Sequence, residues 1–237
     1  MTAISISGVR KSYDKRIVVD DINLEIQSGE FVSIVGPSGG GKSTLLYCIA
    51  GFCPFEGRIE RPRRIGFVFQ DHALYPFMTC RDNVALGLGH LASEQRREKV
   101  DEYLNIIGLP DCGEKYPWQL SGGESQRLAI ARAFAPEPEV VLMDEPLSAL
   151  DVMRREAMLN WLMTFLRNRP TTIVMVTHWI DEAIIPSSRV VVLSEGAVMA
   201  QFPVDLPQPR NDQTKDLADF IALRQDVHDC IFTNQQL

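Results

Sequence analysis

With 237 residues, 45% of them hydrophobic and 23% charged, the chain has enough apolar material to bury a sizeable core as one large domain or a two-lobed unit, which excludes the disordered and fibrous classes. Its net charge of -7 gives no basic footprint for holding a phosphate backbone by counterion release, so no nucleic-acid partner is expected.

The opening stretch, MTAISISGVRKSY, alternates as an edge strand does and lacks the apolar core of an export signal. The most apolar runs are FVSIV at 31–35, EVVLM at 139–143, TIVMV at 172–176 and VVVL at 190–193. All are far shorter than the roughly 20 residues needed to span a bilayer, so they read as buried strands of a cytoplasmic protein. Several run into a glycine turn or a helical pattern, the alternation expected of an α/β fold with a mostly parallel sheet. Between about residues 76 and 135 the strand signals stop, and stretches such as SEQRREKVDEYLNIIGL at 93–109 predict a helical lobe inserted into that core. After Ser194 the pattern thins into VDLPQPRNDQT, and the stretch that follows places Leu217, Phe220, Ile221, Val227 and Ile231 near one face of a packed C-terminal helix. Cys48, Cys53, Cys80, Cys112 and Cys230 are scattered without CxxC spacing, so they are expected to be ordinary reduced thiols rather than metal ligands or a disulfide framework.

The sharpest local signal is GPSGGGKST at 36–44, which satisfies GxxxxGK[ST] between the strand FVSIV and the helical run LLYCIAG. Gly36, Gly39, Gly40 and Gly41, with Pro37 and Ser38 between them, let the backbone approach phosphates closely and turn its N–H groups inward, while the helix N-terminus adds a favourable dipole. Lys42 supplies a point charge to the outer phosphates, the Ser43 hydroxyl suits Mg²⁺, and Thr44 supports the α-phosphate region. Nucleotide binding is therefore expected, with Mg²⁺ beside the phosphates.

In an open parallel sheet, ligands sit beyond the carboxyl ends of the strands. Gln70 follows IGFVF, Asp144 and Glu145 follow VVLM, and His178 follows TIVMVT. Asp144 is placed to hold Mg²⁺ through water and Glu145 to polarise an attacking water. His72, His90 and His228 read as structural.

LSGGE at 120–124 narrows the reading, because it resembles the signature motif of the ABC ATPases. The resemblance covers nearly the whole chain: GPSGGGKST as the Walker A loop, FVFQ ending at Gln70 as the Q-loop, VVLMDE as the Walker B strand, SALD at 148–151 as the D-loop with Ser148 and Asp151, and THWIDEA at 177–183 as the H-loop. It implies a P-loop NTPase core with an N-terminal antiparallel β portion and an inserted helical lobe, residues 1–205 forming the ATPase domain and 206–237 a C-terminal linker and helix. Tyr13 stands where the family places an aromatic residue on adenine, and Gln70 joins Ser43 and Asp144 around Mg²⁺. Lys42, Glu145 and His178 are the implied catalytic set, with His178 orienting the attacking water.

Ser121 is a good N-cap and Glu124 stands three residues on, a capping-box spacing that starts a helix and leaves the Gly122 and Gly123 amides at an anion-attracting end. The family solution is a head-to-tail homodimer or pseudo-dimer in which Ser121, Gly122 and Gly123 of one subunit meet the ATP held by the other. Glu124 departs from the commoner glutamine and is expected to turn back toward its own helix start. FQDHALYPFMTCRDNVALGL and the DLPQPRN tail resemble the nitrate, sulfonate and taurine importers. That implies integral membrane permease subunits as partners, indirectly a solute-binding protein, and a peripheral position on the cytoplasmic face of the inner membrane. The alternatives are a soluble ABC ATPase serving DNA repair, translation or cofactor assembly, for which the usual coiled-coil insertion and second cassette are missing, and a non-hydrolysing regulatory module. Tyr75 and Phe77 belong either to interior packing or to the groove that receives a permease helix.

Overall fold

The computed structural model describes every residue except Ala149, Asn168 and residues 234–237, together with all side chains but that of Thr233 among the rest. Ala149 of the expected D-loop therefore lies outside the described residues. The chain divides into two compact units, one made of residues 1–63 and 170 onward, the other of residues 64–169.

The first unit begins with a hairpin of β1 (Thr2–Tyr13) and β2 (Arg16–Gln27), closed by a two-residue turn in which Asp14 takes a left-handed φ of 52°. β3 (Phe31–Val35) runs through the glycine loop into helix α1 (Lys42–Ala50), and β4 (Glu56–Glu60) returns to pair antiparallel with β1. The result is an antiparallel three-stranded sheet in the order β2-β1-β4. Ile4, Ile6, Val9, Val19, Leu24 and Ile26 are buried, while the residues between them are more open, the alternation of a sheet with one covered face.

In the second unit β5 (Ile65–Val68) lies parallel to β6 (Val140–Asp144), with every residue of β6 buried. Between these strands the chain forms α2 (Cys80–Ala85), α3 (Ser93–Ile106) and α4 (Gly122–Phe134), with short 3₁₀ turns and no strand among the described residues. α5 (Val152–Leu166) follows, started by Asp151, whose carboxylate accepts the Arg154 N–H. Phe134 and Phe165 meet edge to face at 5.0 Å, and the Tyr103 hydroxyl donates to Phe134 O at 2.9 Å, fastening α3, α4 and α5 around one core.

The first unit resumes with β7 (Thr172–Thr177), α6 (Ile180–Ile184), β8 (Arg189–Ser194) and β9 (Ala197–Pro203). β3 is sandwiched between β7 and β8, both parallel to it, and β9 closes the edge antiparallel to β8 through a Glu195–Gly196 turn. Continuous burial along β3, β7 and β8 explains why these runs are apolar without alternation. Helix α7 (Ala218–Thr233) packs through Phe220, Val227 and Ile231. The expected apolar face is narrower than the spacing suggested: Ile221 is 55% exposed and Leu217, one residue before the helix, 39% exposed. Ile221 lies about 100° around the helix from Phe220, so both cannot face the same neighbour.

Candidate functional site

In the first unit the residues after β3 build a cradle. Gly36 takes φ 157° and a Cβ there would stand 1.9 Å from Leu193 O; Gly41 takes φ 97° and a Cβ would stand 2.3 Å from Val18 O. A side chain fits at neither position, so the backbone itself forms the loop wall and ends as the N-terminus of α1. Lys42 Nζ donates to Gly36 O at 2.9 Å and Pro37 O at 2.8 Å, which holds its charge inside the loop, 5% exposed. Ser43 and Thr44 stand in the first turn of the helix, half-buried.

Tyr13 ends β1, 47% exposed, with the Lys11 ammonium over its ring 4.6 Å from the centroid. His178, also exposed, follows β7. The backbone on either side is fixed by Thr177, whose hydroxyl donates to Glu182 Oε2 at 2.8 Å and accepts the Trp179 N–H at 3.1 Å.

The second unit carries the remaining candidates. Asp144 ends β6, 1% exposed, and Glu145 follows with φ 44°, a conformation that costs a non-glycine residue about 1 kcal/mol or more. Ser148 holds that turn by donating both its N–H and its hydroxyl to Glu145 O, at 3.1 and 3.0 Å. Gln70 sits in a turn closed by the His72 N–H to Phe69 O at 3.1 Å, and its amide reaches the Glu145 carboxylate at 3.4 Å. The structure thus brings Gln70 and Glu145 together, although 75 residues separate them in the chain.

Ser121 caps α4 as its spacing predicts. Its hydroxyl accepts the Glu124 N–H at 3.4 Å while Glu124 Oε2 accepts the Ser121 N–H at 2.7 Å. The hydrogen bond from the Ser121 backbone holds the Glu124 carboxyl below its ordinary range and turns it toward the helix start. Ser121 and Gly122 are exposed, and an open depression of about 390 Å³ beside Ser121 and Gly123 is also lined by Arg127, Arg154 and Trp161.

Oxygen donors suit a hard cation: the Ser43 hydroxyl and the Asp144 carboxylate are of the type Mg²⁺ takes. Among the described residues no three His, Cys, Asp or Glu side chains cluster as metal ligands.

A family model described as ABC transporter matches residues 19–148. The chain belongs to the ABC transporter family. The aliphatic sulfonates import ATP-binding protein SsuB of Bacillus subtilis (strain 168) is 40% identical, with 95% of this chain and 92% of that protein aligned. The sulfate/thiosulfate import ATP-binding protein CysA 1 of Agrobacterium fabrum is 41% identical, over 82% of this chain and 62% of that protein. Among solved structures, the dimeric ATP-binding cassette MJ0796 bound to ADP and Pi in a post-hydrolysis state is similar with a TM-score of 0.76 at 34% identity, covering 85% of this chain and 98% of that one. This ABC ATPase hydrolyses ATP in a transport cycle, and its relatives agree with the resemblance to sulfonate importers.

Two residues of the ABC ATPase that the sequence did not single out shape the segment after Gln70. Asn83, fully buried in α2, accepts the Tyr75 N–H at 2.9 Å and donates to Tyr75 O, Met78 O and Thr79 O between 2.9 and 3.2 Å. That clamp holds up an aromatic pair: Tyr75 and Phe77 meet edge to face at 5.7 Å and are 46% and 71% exposed, which rules out interior packing within this unit. Arg132 of α4 donates to Ala73 O at 2.5 Å and His72 O at 2.8 Å, fastening two consecutive left-handed residues. Among the described residues no helix is long and apolar enough to cross a membrane.

Proposed function

We propose that this chain is the ATP-hydrolysing subunit of a prokaryotic importer of small anionic solutes such as nitrate, sulfonates or taurine. It works as a pair at the cytoplasmic face of the inner membrane, with permease subunits and, through them, a solute-binding protein. The observation that carries the reading is the signature helix: a reciprocally capped N-terminus with Ser121 and Gly122 open to an incoming anion, in a chain that also holds a complete phosphate loop.

The loop backbone from Gly36 to Gly41, with Lys42, Ser43 and Thr44, grips the phosphates of ATP, and Tyr13 offers its ring to adenine. Mg²⁺, when bound through Ser43, Asp144 and Gln70, neutralises charge on the phosphates. Glu145 polarises the attacking water, its carboxylate presented by the left-handed turn that Ser148 closes, and His178 orients that water. Ser121, Gly122 and Gly123 complete the site on the partner copy, where the α4 N-terminus stabilises negative charge as it develops. Ser148 and Asp151 stand in the turn that leads from Glu145 into α5.

Glu145→Gln keeps the turn and the phosphate loop but removes the charge that polarises water. Turnover should fall by about a thousandfold or more, by analogy with losing a water-positioning group in phosphoryl transfer, while ATP binding persists and a dimer accumulates on size exclusion. Near-normal hydrolysis would sink the catalytic assignment. The substrate class is tested by deleting the gene: a strain that takes up nitrate, taurine and alkanesulfonates as the parent does refutes it.

A further inference from the structure

The helix that follows the phosphate loop ends in a turn that stacks two thiols. At the C-terminus of α1, Gly51 takes φ 76°, its N–H bonds to Cys48 O at 3.1 Å, and the Phe52 N–H reaches back to Tyr47 O at 2.9 Å. This double bond pattern folds the chain over the last helical turn, and the accompanying apolar contact is present, with the Tyr47 and Phe52 rings 6.3 Å apart. The next residue, Cys53, therefore returns over the helix end, and its sulfur lies 3.6 Å from that of Cys48. A disulfide needs a sulfur separation of about 2.05 Å, so the sulfurs must approach by about a further 1.5 Å.

The two thiols are unequal. Cys48 is fully buried and burial pushes its pKa up to about 12, whereas Cys53 is half-exposed and is the sulfur an oxidant reaches. Cys53 also stands near Tyr13: burial first, then the neighbouring Cys53, pushes the phenol up, and Thr44 draws it down. The pair thus touches both the phosphate-loop helix and the aromatic residue at the end of β1.

We propose that Cys48 and Cys53 form a redox modification site that hydroperoxides close into an intrachain disulfide, weakening ATP binding through Tyr13. The effect on ATP rests on Tyr13 being the adenine contact; the disulfide does not. The chemistry balances in two steps. Cys53 sulfur attacks the peroxide, forming S–O as O–O breaks, and its thiol proton leaves with the departing hydroxide as water. Cys48 sulfur then attacks Cys53 sulfur, S–S forms as S–O breaks, and the Cys48 proton goes to the leaving hydroxide, so two thiols and one hydrogen peroxide give one disulfide and two waters. Thiol reductants reverse the change, as a sensing role in a reducing compartment requires.

The test treats the purified full-length chain with hydrogen peroxide and maps its peptides by mass. The expected product links Cys48 to Cys53, has lost two hydrogens, and reverts with dithiothreitol, while Cys80 and Cys112, both buried, stay reduced. A Cys53 that proceeds to sulfinic acid without a link, or a pair that stays reduced, overturns the site. Calorimetry on the oxidised chain should show ATP binding about tenfold weaker, the scale of disturbing one base–aromatic stack, and Cys53→Ser should abolish the response to peroxide. Tyr13→Ala separates the two claims. If it weakens ATP binding and the disulfide does not, the coupling is overturned and the adenine contact stands; if it binds ATP as the parent does, the adenine contact falls and the coupling with it.

Discussion

Replacing Arg132 with methionine removes the guanidinium that fastens the chain just past Gln70. Its two bonds, to Ala73 O and His72 O at 2.5 and 2.8 Å, are charge-assisted, each worth about 1.5–3 kcal/mol. Two terms offset that gross value. Burial lowers the Arg132 pKa, so the charge carries a desolvation cost that methionine does not. His72 and Ala73 also sit at φ 63° and 45°, and releasing their carbonyls lets about 1 kcal/mol of strain per residue relax. The net loss should be about 2 kcal/mol, a fall in Tm of about 4–8 °C for a chain of this size. Turnover should suffer more. The turn closed by His72 and Phe69 carries Gln70, whose amide stands 3.4 Å from Glu145, and a shift of about 1 Å near reacting groups costs about a hundredfold. The assay is steady-state ATPase and thermal melting on the same sample: kcat falling about ten- to a hundredfold, with KM for ATP changed less than about threefold, marks a positioning role. Arg132→Lys, which keeps the charge and one bond, should recover part of kcat. A lowered Tm with a wild-type kcat would refute the reasoning, leaving Arg132 as a packing residue only.

Lys42→Ala should weaken ATP binding by a monomer, since its ammonium lies inside the loop, whereas Ser121→Arg should leave monomer binding intact and abolish hydrolysis that depends on dimer formation; equal losses of binding would contradict the shared site. Polar substitution of Tyr75 or Phe77 should change stability by less than about 0.5 kcal/mol, as at other exposed positions, yet lower transport and capture of the permease far more than the ATPase activity of the isolated chain. Unfolding of those variants would show the pair to be structural. Acid titration of stability tests the α4 cap. The folded pKa of Glu124 is depressed below its ordinary 4.5, so its contribution is present above that value and is lost as pH falls through the folded pKa. Glu124→Gln, which retains a capping side chain without the charge, should lose less stability than the parent on acidification.

The features legible in the sequence are those whose physics is local. Gly36 and Gly41 show in the pattern because no side chain fits against Leu193 O or Val18 O, and the Ser121 cap shows because both its partners lie within four residues. The strand cores show because burial on both faces demands an unbroken apolar run, as in β6 and β7. Ile221 failed on the same ground: helical spacing alone does not say how wide a stripe its neighbour covers. The Cys48–Cys53 approach was hidden because spacing rules look for CxxC, whereas here a left-handed Gly51 folds a five-residue separation onto itself.

Asn83 and Arg132 were illegible for a deeper reason. Each acts by bonding to main-chain carbonyls, and in the case of Arg132 those carbonyls are 59 and 60 residues away. Every residue carries a carbonyl, so the acceptor side of such a bond leaves no trace in residue identity, and only the donor could be noticed. A buried Asn beside a turn and an Arg in a signature helix are individually unremarkable; their meaning comes from which backbone the fold brings to them. The left-handed pair that Arg132 holds, His72–Ala73, lacks glycine at both positions. That conformation is therefore imposed by tertiary bonds rather than chosen by local propensity, and the segment between Gln70 and the Tyr75–Phe77 pair can relax when those bonds are lost.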